Sequence, residues 1–138
     1  MLGKHLIRFN AKSQSVIALS TSESELYSLV SSTAAGIGLV QLASDFGLSV
    51  KLTIRCDATS CIVAATRRGL GKAKHVSVSF LWVQEVFHTG RAVLVKVPTA
   101  ENRADLGTKA LAADRVAFLT EQCGCSFLPG RHALALRA

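Results

Sequence analysis

Three acidic residues of this chain stand where a carboxylate can hold a hard cation: Glu25 in "SESELYSL", Asp57 in "TIRCDATS" and Asp105 in "ENRADLGTK". The chain has 9 acidic residues against 16 lysines and arginines, so carboxylates are scarce. Mg2+ takes oxygen ligands in near-octahedral geometry and keeps several of its waters. Two such ions about 3.5–4 Å apart activate a water and stabilise the leaving oxygen of a phosphodiester. Each acid also has a plainer role open to it. Asp57 follows a strand-like run and precedes a helix-like one, the place of a helix N-cap. Asp105 lies at or near a helix start, where the helix dipole favours a solvated acid. Spacing alone leaves these alternatives open.

Glu25 has a competitor two residues away. Ser20 or Ser22 can cap the next helix, and each has a glutamate three residues on, Glu23 and Glu25. At about 100° per residue the two glutamates point about 200° apart and cannot share one metal centre. They flank opposite edges of the apolar stripe of Leu26, Leu29, Val30, Ile37 and Val40, so periodicity does not choose between them. Glu23 fits the acid of a capping box begun by Ser20.

The elements that must position these acids are set by the hydrophobic pattern. Residues 5–9 and 15–19 are short β-prone runs separated by "NAKSQ", a predicted hairpin. A helix starts from Ser20 or Ser22 and is closed by "DFGL"; Gly36 and Gly38 each weaken it by about 1 kcal/mol. "VKLTIRCD" (50–57) alternates as a strand, and "ATSCIVAAT" (58–66) is a short helix. "RRGLGKAKH" is a basic loop carrying Arg67, Arg68, Lys72, Lys74 and His75. In "VSVSFLWVQEVFHTG" (76–90) the length and the Gly90 stop favour a helix over a strand, with Trp82 in the core. "RAVLVKVP" (91–98) is a strand ended by Pro98. Thr99 or Asn102 can cap the "TAENRADLGTKAL" segment, and a last helix covers about 112–122. Strands alternating with helices imply an α/β sheet with helices on its faces.

The 138 residues suffice for one domain with a core. With 49% hydrophobic and 18% charged residues the chain is not of the disordered class. A net charge of +7 and a pI of 9.7 point to a polyanionic partner, nucleic acid first. The four cysteines are spaced C-x4-C and C-x-C, unlike common zinc motifs, and read as reduced thiols of an intracellular protein. No signal peptide is predicted and no apolar run approaches the 18 or so residues of a membrane span, so no membrane partner is expected.

Four motifs carry a family resemblance. "SQSVIALSTSESELYSL" resembles the "Q-x-x-V-A-L-S-S-x-E-A-E-Y-x-A-L" signature of the ribonuclease H domain of Ty1/copia-type retrotransposon Pol polyproteins. "IRCDATSCIVAA" is similar to its "D-N-x-x-x-I-x-x-A" segment, and "KAKHVSVSFLWVQE" to its "R-x-K-H-I-x-x-x-x-H-x-x-R-E" stretch. "VPTAENRADLGTKAL" resembles "I-P-T-x-x-N-x-A-D-x-x-T-K-x-L". "LGKHLIRFNAKSQ" is similar to the hairpin before the signature, with Phe9 in place of a core tryptophan. The motifs occur in order over about residues 2–111.

The resemblance implies a ribonuclease H-like mixed sheet flanked by helices in residues 1–111, then a C-terminal helix and tail in 112–138. It implies endonucleolytic cleavage of the RNA strand of RNA–DNA hybrids with two Mg2+ ions (Mn2+ as a substitute), beside the reverse transcriptase region of a parent polyprotein. Motif by motif, the catalytic and metal-binding acids fall on Glu25, Asp57 and Asp105, and Lys74 and His75 are retained as hybrid backbone contacts. With Arg67, Arg68 and Lys72 these two form a basic loop able to neutralise phosphates, for which a merely solvated loop is the alternative. The family has a further aspartate on an opening strand ahead of the hairpin. No acid precedes Glu23 here, so the expected sheet lacks its first strand. The alternative expectation is an inactive remnant that binds nucleic acid through its basic surface.

Overall fold

The structure, a computed structural model, describes residues 1–3, 5–11, 14, 17–69, 78–127 and 130. The chain divides into two units, Ser13–Asn102 and a smaller one made of Met1–Lys12 with Arg103–Ala138. The larger holds α1 (Thr21–Asp45), β1 (Leu52–Cys56), α2 (Thr59–Thr66), α3 (Val78–His88), β2 (Ala92–Lys96) and a 3-10 turn at Thr99–Glu101. The smaller holds a 3-10 turn at Arg103–Asp105 and α4 (Ala113–Gln122).

Helix α1 begins where its capping chemistry places it. Ser20 is extended and its side chain accepts from the Glu23 N–H. The Glu23 carboxylate reaches back to the Leu19 N–H at 2.8 Å, one residue ahead of the usual capping box, and accepts from the Tyr27 hydroxyl at 3.1 Å. At the other end Gly47 and Leu48 donate back to the Ser44 and Ala43 carbonyls, a Schellman closure. Along one face Glu23, Leu26, Leu29 and Thr33 are buried at helical spacing. Gly36 continues that face against β1. A Cβ there would lie 2.7 Å from Leu52 Cδ1, whereas one on Gly38 would meet nothing within 4 Å. The two glycines that look alike in sequence therefore differ, since only Gly36 lets the helix approach the strand.

The core of the larger unit joins Leu26 and Leu29 of α1, Cys61 and Ala65 of α2, and Phe80 and Val83 of α3. Burying each large aliphatic or aromatic side chain contributes about 1.5–3 kcal/mol. Trp82 packs against this cluster, as expected, and Tyr27 meets Phe80 edge-on at 5.6 Å. Strands β1 and β2 pair in parallel, Leu52 opposite Ala92 through Cys56 opposite Lys96. Two intervening helices carry the chain between them, as a parallel pair requires.

Three expectations need correction. The sheet is a purely parallel two-stranded one, not a mixed sheet, among the described residues. The hairpin over 5–9 and 15–19 does not form in its described part: Leu2 and His5 make one antiparallel bridge, while residues 6–11 and 17–18 are irregular. An isolated hairpin is marginal without a sheet to join. The residues before α1 are tied instead by side chains, Gln14 Nε2 donating to the Ser24 carbonyl at 2.8 Å. Phe9 is not a core residue; it is 54% exposed and stands over Gly107 within the smaller unit. In addition, α1 is by length and composition long and apolar enough to cross a membrane, with an 18-residue window of mean hydropathy 1.4. Serine, threonine and glutamine interrupt that run in the sequence, and soluble core helices pass the same test.

Helix α1 gives two tests of stability. The Thr33 hydroxyl is fully buried with no hydrogen-bond partner among the described residues. Thr33→Val keeps the shape, removes the orphaned group and raises stability by about 1 kcal/mol, read as a higher urea midpoint at unchanged slope. Gly38→Ala gains close to the full helix propensity difference of about 1 kcal/mol, and Gly36→Ala gains clearly less because Leu52 must move. Equal gains at the two positions would contradict the close approach of α1 to β1.

Candidate active site

Parallel strands carry sites at their C-terminal ends, where loops leave the sheet. Here β1 ends at Cys56, Asp57 comes next, and α2 begins at Thr59. The N-cap of α2 is Ala58, with no side-chain cap bond, so Asp57 does not take the capping role the sequence allowed. Among the described residues the half-buried Asp57 carboxylate has no hydrogen-bond or ion-pair partner. The half-buried Glu25, just past the first turn of α1, has none either.

Cys61, in the first turn of α2, ties the two acids together. Burial pushes its thiol up from the ordinary range, the hydrogen-bonded Cys56 adds to the shift, and the Glu25 and Asp57 carboxylates add further. Both acids are thus within electrostatic reach of one buried sulfur. The rim is joined by Ser22 Oγ donating to Ser60 Oγ at 3.1 Å, from α1 to α2. Lys96 Nζ, at the end of β2, donates to Thr59 Oγ1 at 2.8 Å. Neither Cys61 nor Lys96 was singled out from sequence. The signal for Lys96 was present, as a cation closing an otherwise apolar strand.

Glu23 takes the structural role and is buried by it. Its hydrogen bond with Tyr27, then burial and the carboxylate charge, raise the tyrosine hydroxyl above its usual range. The pair of glutamates therefore divides as capping acid and available acid.

Asp105 belongs to the smaller unit and is neither a cap nor a solvated acid. It is 7% exposed, and Lys109 Nζ donates to its Oδ1 at 2.8 Å. Among the described residues no three histidine, cysteine, aspartate or glutamate side chains gather to hold a metal ion. Glu25 and Asp57 each suit a hard cation, because both are oxygen donors without a partner among the described residues. The Asp105 oxygen bound by an ammonium fits less well. Of the basic residues, Arg67 is half-buried and Arg68 exposed at the end of α2; Lys72, Lys74 and His75 lie outside the described residues.

No family model matches the chain, and no solved structure matches it. Over 120 residues it is 28% identical to the retrovirus-related Pol polyprotein from transposon TNT 1-94 of Nicotiana tabacum. That alignment covers 86% of this chain and 9% of the relative, so the chain spans under a tenth of the relative's length. The likeness supports an origin in a retrotransposon Pol polyprotein.

Proposed function

We propose that the chain is the ribonuclease H-like region of a Ty1/copia-type Pol polyprotein and cleaves the RNA strand of RNA–DNA hybrids in a Mg2+-dependent reaction. The observation that supports this is a pair of carboxylates without partners among the described residues, Asp57 just after a parallel strand and Glu25 on α1, both acting on the Cys61 thiol. When bound there, Mg2+ or Mn2+ supplies an activated water and charge stabilisation of the leaving oxygen. Glu25 and Asp57 hold the cation, α1 fixes the first through its packing on α2, and β1 fixes the second. The side chains of Arg67, Arg68, Lys72 and Lys74 neutralise backbone phosphates and His75 hydrogen-bonds to them, so that hybrid affinity depends on salt rather than sequence. We place this activity inside the cell, next to the reverse transcriptase region of the parent polyprotein. A second reading, a domain that binds nucleic acid without cleaving it, is favoured by the Lys109 ammonium on Asp105.

Incubation with an end-labelled RNA–DNA hybrid and Mg2+ separates the two. Glu25→Gln and Asp57→Asn each reduce cleavage by more than about 100-fold, beyond the usual cost of outer-shell changes, at unchanged melting temperature. Glu23→Ala does the reverse. It loses about 1–3 kcal/mol of stability, because the Leu19 N–H and Tyr27 hydroxyl lose their acceptor, and it keeps its activity per folded molecule. Hybrid binding without Mg2+-dependent cleavage in the unaltered protein would establish the second reading.

A further inference from the structure

Two thiols flank Asp57. Cys56 ends β1, and Cys61 lies in the first turn of α2. Cys61 is fully buried in the core cluster of the larger unit, and the half-buried Cys56 packs against that cluster. The two thiols are hydrogen-bonded to each other, and Cys56 Sγ also donates to the Ala58 carbonyl at 3.7 Å. The C-x4-C spacing that fits no common zinc motif thus brings both sulfurs to one point. Among the described residues no third histidine, cysteine or carboxylate gathers with them to hold a metal ion. The chemistry open to the pair is to join to each other.

The chain on either side of Asp57 is held in place. Cys56 lies opposite Lys96 in the sheet, and its carbonyl accepts from the Val97 N–H at 3.0 Å. Thr59 and Ser60 are held by the side chains of Lys96 and Ser22. The two residues between are held less. The Asp57 carboxylate has no partner among the described residues, and Ala58 caps α2 without a side-chain bond. A disulfide is only about 2.05 Å long, shorter than a hydrogen bond between thiols. Forming it draws the strand end and the helix together and removes the Cys56 S–H that bonds Ala58. Asp57 and Ala58 take up that change.

We propose that Cys56 and Cys61 form a reversible disulfide that displaces Asp57 and weakens cation binding, a redox switch at the end of β1. The oxidant is a low-molecular-weight disulfide such as oxidised glutathione. Cys56, the more exposed thiol, attacks one of its sulfurs as the thiolate, which forms a mixed disulfide and releases one glutathione. The Cys61 sulfur then attacks the Cys56 sulfur, and the second glutathione leaves with the Cys61 proton. Two protein thiols are oxidised to one disulfide, and one glutathione disulfide is reduced to two thiols. Reducing thiols reverse the reaction, as in redox-sensing pairs of the cytosol. The effect on the cation rests on the reading of Glu25 and Asp57 above; formation of the disulfide does not.

The test compares the full chain reduced by dithiothreitol with the same chain treated with oxidised glutathione, free thiols then being alkylated. Trypsin cuts after Arg55 and Arg67 and releases residues 56–67, which hold Cys56 and Cys61 but neither Cys123 nor Cys125. The expected peptide from the oxidised protein carries no alkyl group and is lighter by two hydrogens than the unalkylated dithiol. In a Mn2+ titration the oxidised form binds roughly 10-fold more weakly or worse, and dithiothreitol restores the affinity. Cys56→Ser binds Mn2+ equally before and after oxidation, which separates the pair from Cys123 and Cys125. A peptide 56–67 that stays doubly alkylated or ends as a mixed disulfide overturns the proposal. So does a Mn2+ affinity that the disulfide leaves unmoved, or a loss that persists in Cys56→Ser. A reduced protein that binds no Mn2+ overturns the cation reading and the switch with it, and the peptide mass tells that failure from a failure of the disulfide.

Discussion

The larger unit depends on the packing of the first half of α1 against α2 and α3. Leu26 and Leu29 enter one cluster with Cys61, Ala65, Phe80 and Val83, and all the buried residues of α1 lie at or before Thr33. That contact does more than close the core. Glu25 precedes Leu26 by one residue, and its carboxylate acts on the buried Cys61 thiol of α2, as does that of Asp57 just after β1. A rotation of α1 large enough to expose Leu26 would carry Glu25 away with it, which couples the candidate site to the core.

Charge is handled differently from one acid to the next. Asp105 is buried and neutralised by Lys109 within the smaller unit. Glu23 is buried and satisfied by an N–H and a hydroxyl. Glu25 and Asp57 are half-buried and have neither among the described residues. Carboxylates removed from water without a partner cost free energy, and such groups concentrate where a ligand or ion completes them. The difference in partners, not their position along the chain, separates structural acids from available ones.

Local signals in the sequence were reliable where they act within a few residues. Ser20 with Glu23 marked the start of α1, the alternation in "LTIRC" gave β1, and Gly90 with the length of the run gave α3 as a helix. The failures lie where structure depends on partners far along the chain. The β-prone runs before α1 had the right composition for strands, but strand formation needs a neighbour to pair with. Gly36 looked like a weak point and is a contact with Leu52, 16 residues away. Gln84 carried no signal at all, because an amide in a helix declares its role only when the backbone it binds, Ala64 and Gly69, is in place. Spacing alone leaves Asp57 as cap or ligand, and the identity of the cap as Ala58 removes one of the two.

The central claim is that Glu25 and Asp57 form one cation site at the end of β1. Titration of the isotopically labelled protein with Mn2+, monitored by paramagnetic broadening of backbone amide signals, tests it without reference to activity. The predicted result is broadening that begins together at the amides around Glu25, Asp57 and Cys61 and is displaced by excess Mg2+. Broadening that begins elsewhere, or that reaches Glu25 and Asp57 at separate ion concentrations, would contradict it.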